Sequence, residues 1–279
     1  MTGQIQKRFT RGFEGSLAYT FTDSKDINAQ GASTAGTLFT GQPIVGSPNS
    51  PNLSYANNLV PHRIVGYLQY RREYLKNFAT TISFTYTGQN IANFSYTYLN
   101  SPNSDGINGN DLMYVPRSQG EILLTTTNAT DTRTSQQIWD QLNAYIDQDP
   151  YLSKRRGQYV ERNGAYLPWQ NLLNFRLLQD FYIPVGNGRR HTLQVSADVV
   201  NVLNLLNSDW GVAQTINRSS LLSFVGYETP YNAATTGSTA RPIYSFAEAA
   251  PGQALNSTYT NNFGLSSRWQ LQVGARYIF

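Results

Sequence analysis

The chain has no cysteine, which removes disulfide scaffolds, zinc ribbons and thiol catalysis together. Long apolar runs are missing as well. Nothing approaches the ~20 apolar residues a spanning helix needs, so a helical membrane protein is excluded. Charge is scarce, at 14% of 279 residues, and the small excess of Lys and Arg is scattered without a cluster, which argues against nucleic acid as a partner. Met1 is followed by Thr-Gly-Gln-Ile-Gln-Lys-Arg, which lacks the apolar segment of a secretory signal. Only two histidines are present, His62 and His191. Each sits at the start of a candidate strand, at opposite ends of the expected sheet, so a His-based acid–base or metal site is not expected. Gly186-Asn187-Gly188 lacks the following helix and Lys-Ser/Thr of a phosphate loop. No catalytic, cofactor-binding or metal site is therefore assigned, and the chain is not expected to be an enzyme.

Aromatic residues are plentiful, at 13%, and with so little charge they argue against disorder. Tyr, Thr, Ser, Asn and Gly dominate the remainder, a composition suited to strands joined by long polar loops. Transmembrane β-barrels have this character, because their hydrophobicity alternates and averages away in any hydropathy window.

Six segments alternate with period two and read as long strands: Arg11–Asp23, His62–Tyr74, Phe78–Gly88, Leu172–Ile183, His191–Leu203 and Ser267–Phe279. The second is the least regular, with Ile64, Leu68 and Tyr70 on one face but Val65 and Tyr67 on the other. The connections alternate sharply in length. Leu75-Lys76-Asn77 and the Gly186-Asn187-Gly188 region make tight turns. Residues 24–61, 89–171 and 204–266 make long loops, which in compact domains are uncommon and usually functional. If the C-terminus is periplasmic, every tight turn falls on that side and every long loop outside, the asymmetry of a bacterial outer-membrane barrel. Within the loops, Phe94–Tyr98 and Leu112–Val115 read as short strands. Ser135–Asp147, with Ile138, Leu142, Tyr145 and Ile146 at helical spacing, reads as one amphipathic helix closed by Asp149-Pro150. Leu221–Val225 and Ile243–Phe246 could form a further hairpin. The pairs Asp147/Asp149 and Asp23/Asp26 read as solvated loop carboxylates. Asn103–Asp111 offers Asp105, Asn108, Asn110 and Asp111 as oxygen ligands around glycines but no bidentate Glu; a polar turn is the default there and a calcium loop the alternative.

A hairpin about Gly186–Gly188 makes facing residue numbers sum to about 374. This sets Arg176 opposite Asp198 and Asp180 opposite Gln194. With Arg276 of the last strand, these five are expected to face a polar lumen, since the opposite face carries Leu193, Val195, Ala197, Leu271, Val273 and Ala275.

The chain closes on Gln272-Val273-Gly274-Ala275-Arg276-Tyr277-Ile278-Phe279. Polar-x-Gly-x-x-aromatic-x-aromatic at a terminus resembles the signal by which β-barrel assembly machinery recognises outer-membrane barrels, filled here by Gln272, Gly274, Tyr277 and Phe279. Four further stretches resemble the C-terminal barrel portion of TonB-dependent receptors of the Oar-like, Bacteroidetes type: Asn110–Pro116; Arg156–Tyr159 with Glu161–Gly164; Asp198–Asn207 leading to Trp210-Gly211-Val212; and Arg268–Phe279. The resemblance runs from about the third strand to the end.

The resemblance implies an all-β fold: an antiparallel transmembrane barrel segment, the last six or so long strands of a barrel of about 22, with long extracellular loops and one short loop helix. Residues 1–279 form a single region without a plug domain. It further implies a receptor in the outer membrane of a Gram-negative bacterium, importing a nutrient (siderophore, oligosaccharide or peptide) with energy relayed by the TonB system through an N-terminal plug not found here. Six strands fall short of the eight of the smallest usual barrels, and open edges in lipid are not viable, so the expectation is a fragment or truncated frame. Two alternatives remain. One is a small complete eight-stranded barrel acting as an adhesin or structural protein, with Leu221–Val225 and Ile243–Phe246 as its extra pair. The other is a soluble carbohydrate-binding β-sandwich.

Overall fold

The computed structural model describes residues 1–28, 33–186, 189–228 and 241–279. Seven strands make one antiparallel sheet in simple sequence order. They are β1 (Thr2–Thr10), β2 (Phe13–Phe21), β3 (His62–Tyr74), β4 (Phe78–Asn90), β5 (Trp169–Gly186), β6 (Arg189–Val200) and β7 (Gln270–Ile278). The sheet does not close on itself: β1 and β7 pair with β2 and β6 and leave their outer edges open among the described residues. No helix among the described residues is long and apolar enough to cross a membrane.

The sequence implied six long strands and the structure has seven. The first expected strand, Arg11–Asp23, begins too early. Arg11 and Gly12, both at positive φ (53° and 86°), form a tight turn, and Thr2–Thr10 returns alongside β2. Two successive left-handed residues match the right-handed twist of the flanking strands. Gly12 is required there, since an added Cβ would lie 2.5 Å from the Arg71 carbonyl. β3 has the expected bounds. β6 stops three residues short of the expected Leu203, because Asn201 turns left-handed (φ 54°) and Val202–Leu206 forms a short helix.

The register between β5 and β6 sets Arg176 against Asp198 and Asp180 against Gln194, as the hairpin sum required. Gly186 faces Arg189 at its end; Asn187 and Gly188 of the expected turn lie outside the described residues. The strand ends Thr10/Phe13, Tyr74/Phe78 and Gly186/Arg189 face each other at one end of the sheet. The connections 22–61, 91–168 and 201–269 all leave from the other.

The apolar core lies outside this sheet. Buried hydrophobic side chains gather in the long connections, around Tyr96, Met113, Val115, Ile138, Leu142, Ile146, Leu152, Leu221 and Phe246. Helix α1 (Ser135–Gln148) supplies four of them from one face, Ile138, Leu142, Tyr145 and Ile146, and starts on a capping box of Thr134 and Gln137. Leu222–Tyr227 pairs with Pro242–Phe246, and the latter pairs in parallel with Leu123–Thr125. This three-stranded piece belongs to the connection layer and contributes no strand to the large sheet.

Candidate functional site: a two-faced sheet and its loop layer

The registers across all seven strands decide which side chains share a face. On one face stand Ile5, Leu17, Tyr19, Ile64, Leu68, Tyr70, Ile82, Phe84, Phe175, Leu177, Leu193, Val195, Leu271 and Val273. Many are uncovered: Leu17 is 55%, Leu68 52% and Val273 68% exposed. The opposite face carries Glu14, Ser16, Gln69, Arg71, Thr81, Ser83, Arg176, Asp180, Gln194, Asp198, Gln272 and Arg276, and it is the more enclosed. Thr81, Ser83 and Asp180 are buried there. Strands of water-soluble sheets pack their apolar side chains inward; here the apolar face is left open and several polar side chains opposite are buried.

The apolar face is banded. Toward the short turns it ends in Phe13 on Tyr70 (centroids 4.5 Å), Tyr74 on Phe78 (5.9 Å) and Phe78 on Phe181 (5.6 Å). His191 Nδ1 and the Tyr277 hydroxyl are hydrogen-bonded in the same rim. Toward the long connections it ends in Tyr19, Phe21 and His62 (Tyr19 Oη to His62 Nδ1, 2.7 Å), then Tyr86 and Trp169. The aliphatic residues lie between. Trp169 to Phe181 covers ~41 Å of strand at ~3.4 Å per residue, which tilted by ~45° spans ~29 Å, near the height of an apolar band with its aromatic girdles. The two histidines thus occupy opposite rims and meet tyrosines, not each other.

On the polar face three of the five expected residues, Asp180, Gln194 and Arg276, join one network, and the other two, Arg176 and Asp198, pair beside it. Asp180 accepts from Gln194 Nε2 (2.7 Å) and from Arg71 Nη1 (3.1 Å); Arg71 Nη2 donates to Tyr182 Oη (2.6 Å) and Arg276 Nη2 to Gln194 Oε1 (2.9 Å). Arg176 is ion-paired with Asp198 beside this run, at the edge of a hollow of about 380 Å³ lined also by Tyr67, Gln69 and Ser83. Sequence reasoning missed Arg71. It lies on the polar face of β3, and the irregular alternation of that strand hid which face was polar.

The four terminal residues are placed as follows. Gln272 pairs with Asp198 on the polar face, and Gly274 pairs with Ser196, whose Oγ would lie 2.9 Å from an added Cβ. Tyr277 is on the apolar face, with its ring 6.2 Å from that of Phe279. Phe279 lies beyond the strand, almost wholly exposed.

Two expectations for the loop carboxylates are corrected. Asp149 is not solvated but fully buried. Asp26 is held by the buried Arg162 (2.6 Å). Arg162, and for Asp149 the Tyr96 and Thr258 hydroxyls, come from distant segments, out of reach of local pattern. Asn103–Asp111 forms a polar loop in which Asn103 Nδ2 donates to both Asp105 Oδ2 (3.1 Å) and Asp111 Oδ1 (2.8 Å). Among the described residues, no three His, Asp or Glu side chains gather as a metal cage.

Asp111 is nevertheless costly as an anion. It is 5% exposed and its Oδ2 has no partner; burial first, then the Asp105 charge, push its pKa up to about 6. A carboxyl whose folded pKa lies above its unfolded value favours the folded state most when protonated. The penalty is absent below pH ~4, grows as pH rises through the folded value and is complete at neutrality. Asp111→Asn should therefore stabilise the loop layer by about 2 kcal/mol at neutral pH and have little effect below pH ~4. Thermal melts of the two proteins at both pH values check this. An equal shift at both would rule out the electrostatic cause.

Compared with known proteins, the chain matches no family model, no curated protein and no solved structure.

Proposed function

We propose that this chain forms a consecutive run of strands in the wall of a TonB-dependent outer-membrane receptor that binds and imports a nutrient, with its long connections on the outer surface and its short turns in the periplasm. The observation that carries the reading is the exposed, aromatic-rimmed apolar face backed by an enclosed polar one. Lipid is the solvent in which that arrangement is stable, because the apolar face needs no second protein layer and the polar network faces a hydrated lumen. In this reading the open edges of β1 and β7 are covered by further strands of the same receptor, and the plug and its TonB contact lie elsewhere in it.

The two alternatives lose support on specific grounds. The hairpin that a complete eight-stranded barrel would need is paired within the loop layer. A soluble sandwich would need a second layer over the apolar face, and the buried cluster of the described residues lies elsewhere.

The absence of cysteine gives a clean test. A single cysteine introduced at Val195, Val273, Ser196 or Gln272, in receptor whose remaining sequence is also free of cysteine, carries a unique nitroxide. In vesicle-reconstituted receptor, labels at Val195 and Val273 should be accessible to oxygen dissolved in lipid, and those at Ser196 and Gln272 to a water-soluble relaxant. The same accessibility on both faces would defeat the reading.

The terminal strand gives a second test. Replacing Tyr277 and Phe279 together with Ala should lower outer-membrane insertion of the receptor, because the terminal aromatic pair lies exposed at the rim of the apolar face, where assembly machinery would read it. Undiminished surface levels of the double variant would leave this terminus as a strand end only.

A further inference from the structure

At the long-connection rim of the apolar face lies a pocket of about 510 Å³, within the ~300–1,000 Å³ typical of small-molecule sites. Two indoles face it. Trp169 opens β5 and Trp210 stands in the loop after β6, and they are 37% and 52% exposed. Such flat apolar surface left open to water beside polar groups is what the C–H face of a pyranose ring stacks on.

The pocket is held in shape from both sides. Asn171 Oδ1 accepts from Tyr86 Oη (2.6 Å) and Trp169 Nε1 (2.9 Å), which fixes both rings. They lie against the bare Cα of Gly88, where an added Cβ would come 2.4 Å from Tyr86 Oη and 2.7 Å from the Trp169 ring. On the other side, buried Asn204 donates to the carbonyls of Ser208 (2.8 Å) and Trp210 (3.1 Å), and Asn201 and Gln170 both donate to that of Gly211. A loop clamped at three successive points presents Trp210 with little entropy left to lose on binding.

The polar groups select the ligand. Asn171 has its NH2 left to donate. Gln214 Nε2 donates to Asn261 Oδ1 (2.9 Å); both residues line the pocket, and that bond leaves out the Gln214 carbonyl oxygen and the Asn261 NH2. Asp209 is the one charged residue in the lining, with no ion pair among the described residues. A carboxylate with no Lys or Arg beside it repels phosphate and carboxylate ligands, and it accepts well from paired hydroxyls. We propose that this pocket binds a neutral hexopyranose unit, stacked on Trp210 and Trp169 and hydrogen-bonded by Asn171, Gln214 and Asp209.

The sugar could be part of a free oligosaccharide or the headgroup of a glycolipid. The lipid-borne source rests on the membrane reading above; the sugar site itself does not. The test uses the folded receptor that contains this chain, in micelles of an amine-oxide detergent, since a glycosidic detergent would occupy the site. Tryptophan fluorescence is followed on titration with maltohexaose and cellohexaose, and separately with micelles doped with a galactosyl diacylglycerol. A saturable change is expected with one or both classes, about tenfold or more weaker in Trp210→Ala and weakened also in Asp209→Ala. Both substituted residues are exposed, so the fold should persist, and circular dichroism verifies it. A response to soluble sugar identifies a free glycan; a response to doped micelles alone identifies a lipid-borne one. No saturable response from folded protein, or one that both substitutions leave unchanged, overturns the proposal. Sugar binding by receptor that fails to float with lipid vesicles would leave this site standing and overturn the membrane reading instead.

Discussion

Arginine in place of Val273 or Val195 is expected to weaken folding into lipid by about 2–4 kcal/mol, as cationic side chains do near the midplane of a barrel's outer face. The same change at Gln272 or Ser196, one residue along each strand, should be mild. The four positions share their local secondary structure and lie on neighbouring, directly paired strands, so propensity and ladder bonding cannot distinguish them. Only the face differs. Val273 is 68% exposed and Val195 37%, so in water neither arginine would meet a packed core, and the large loss is specific to lipid. The measurement is the gel shift between folded and unfolded receptor after titration with denaturant. Equal losses within each pair would remove the argument from alternation, and with it the assignment of the lipid face.

The sheet was legible in the sequence because alternation is a local signal and the registers follow from short turns. The sum rule about Gly186–Gly188 placed Arg176 against Asp198 without any knowledge of the fold, because a slip of one residue would have turned Leu193, Val195 and Ala197 to the polar side. The strand β1 was not legible. Between Ile5 and Phe9 its apolar face carries Lys7, and the Arg11-Gly12 turn lacks the Asn-Gly or Asp-Gly signature of a two-residue hairpin. The loop core was the least legible part. Its strands are two to six residues long and pair across great separations, as Leu123–Thr125 does with Ile243–Ser245. No window of sequence contains both halves of such a contact. The sugar pocket shares this property: Trp169, Trp210 and Asn261 come from β5 and from two distant parts of the last connection, and only the fold sets them together.

Asp149 shows what such long-range assembly demands energetically, and its replacement by Ala should be the most damaging change in the loop layer. The carboxylate is fully buried with no cation against it. Its charge is carried by four donors. Oδ1 accepts from the backbone N–H groups of Tyr151 (2.9 Å) and Leu152 (2.7 Å), and Oδ2 from Tyr96 Oη (2.5 Å) and Thr258 Oγ1 (2.8 Å). Tyr96 is a dependable donor. Burial, then the neighbouring Tyr145 and Asp149, hold its hydroxyl far above the ordinary tyrosine range, so it keeps its proton at any working pH. One side chain thus ties the end of α1 to the start of the middle connection and to the last one. Removing it takes the acceptor from four donors, at ~1–3 kcal/mol each, so the loss is ~4–12 kcal/mol in all and still ~2–6 kcal/mol if half are rescued by water. Asp149→Asn keeps one carbonyl oxygen for the two N–H groups but presents an NH2 to two hydroxyls that must reverse their roles. Its loss should be smaller, about 1–2 kcal/mol. Because the hub touches no strand of the large sheet, the Ala variant should still give the folded band on a gel while its long connections become sensitive to protease. If the loops of the Ala variant resist protease as well as wild type, Asp149 is not the hub described; if the folded band disappears too, the sheet and the loop layer do not fold independently.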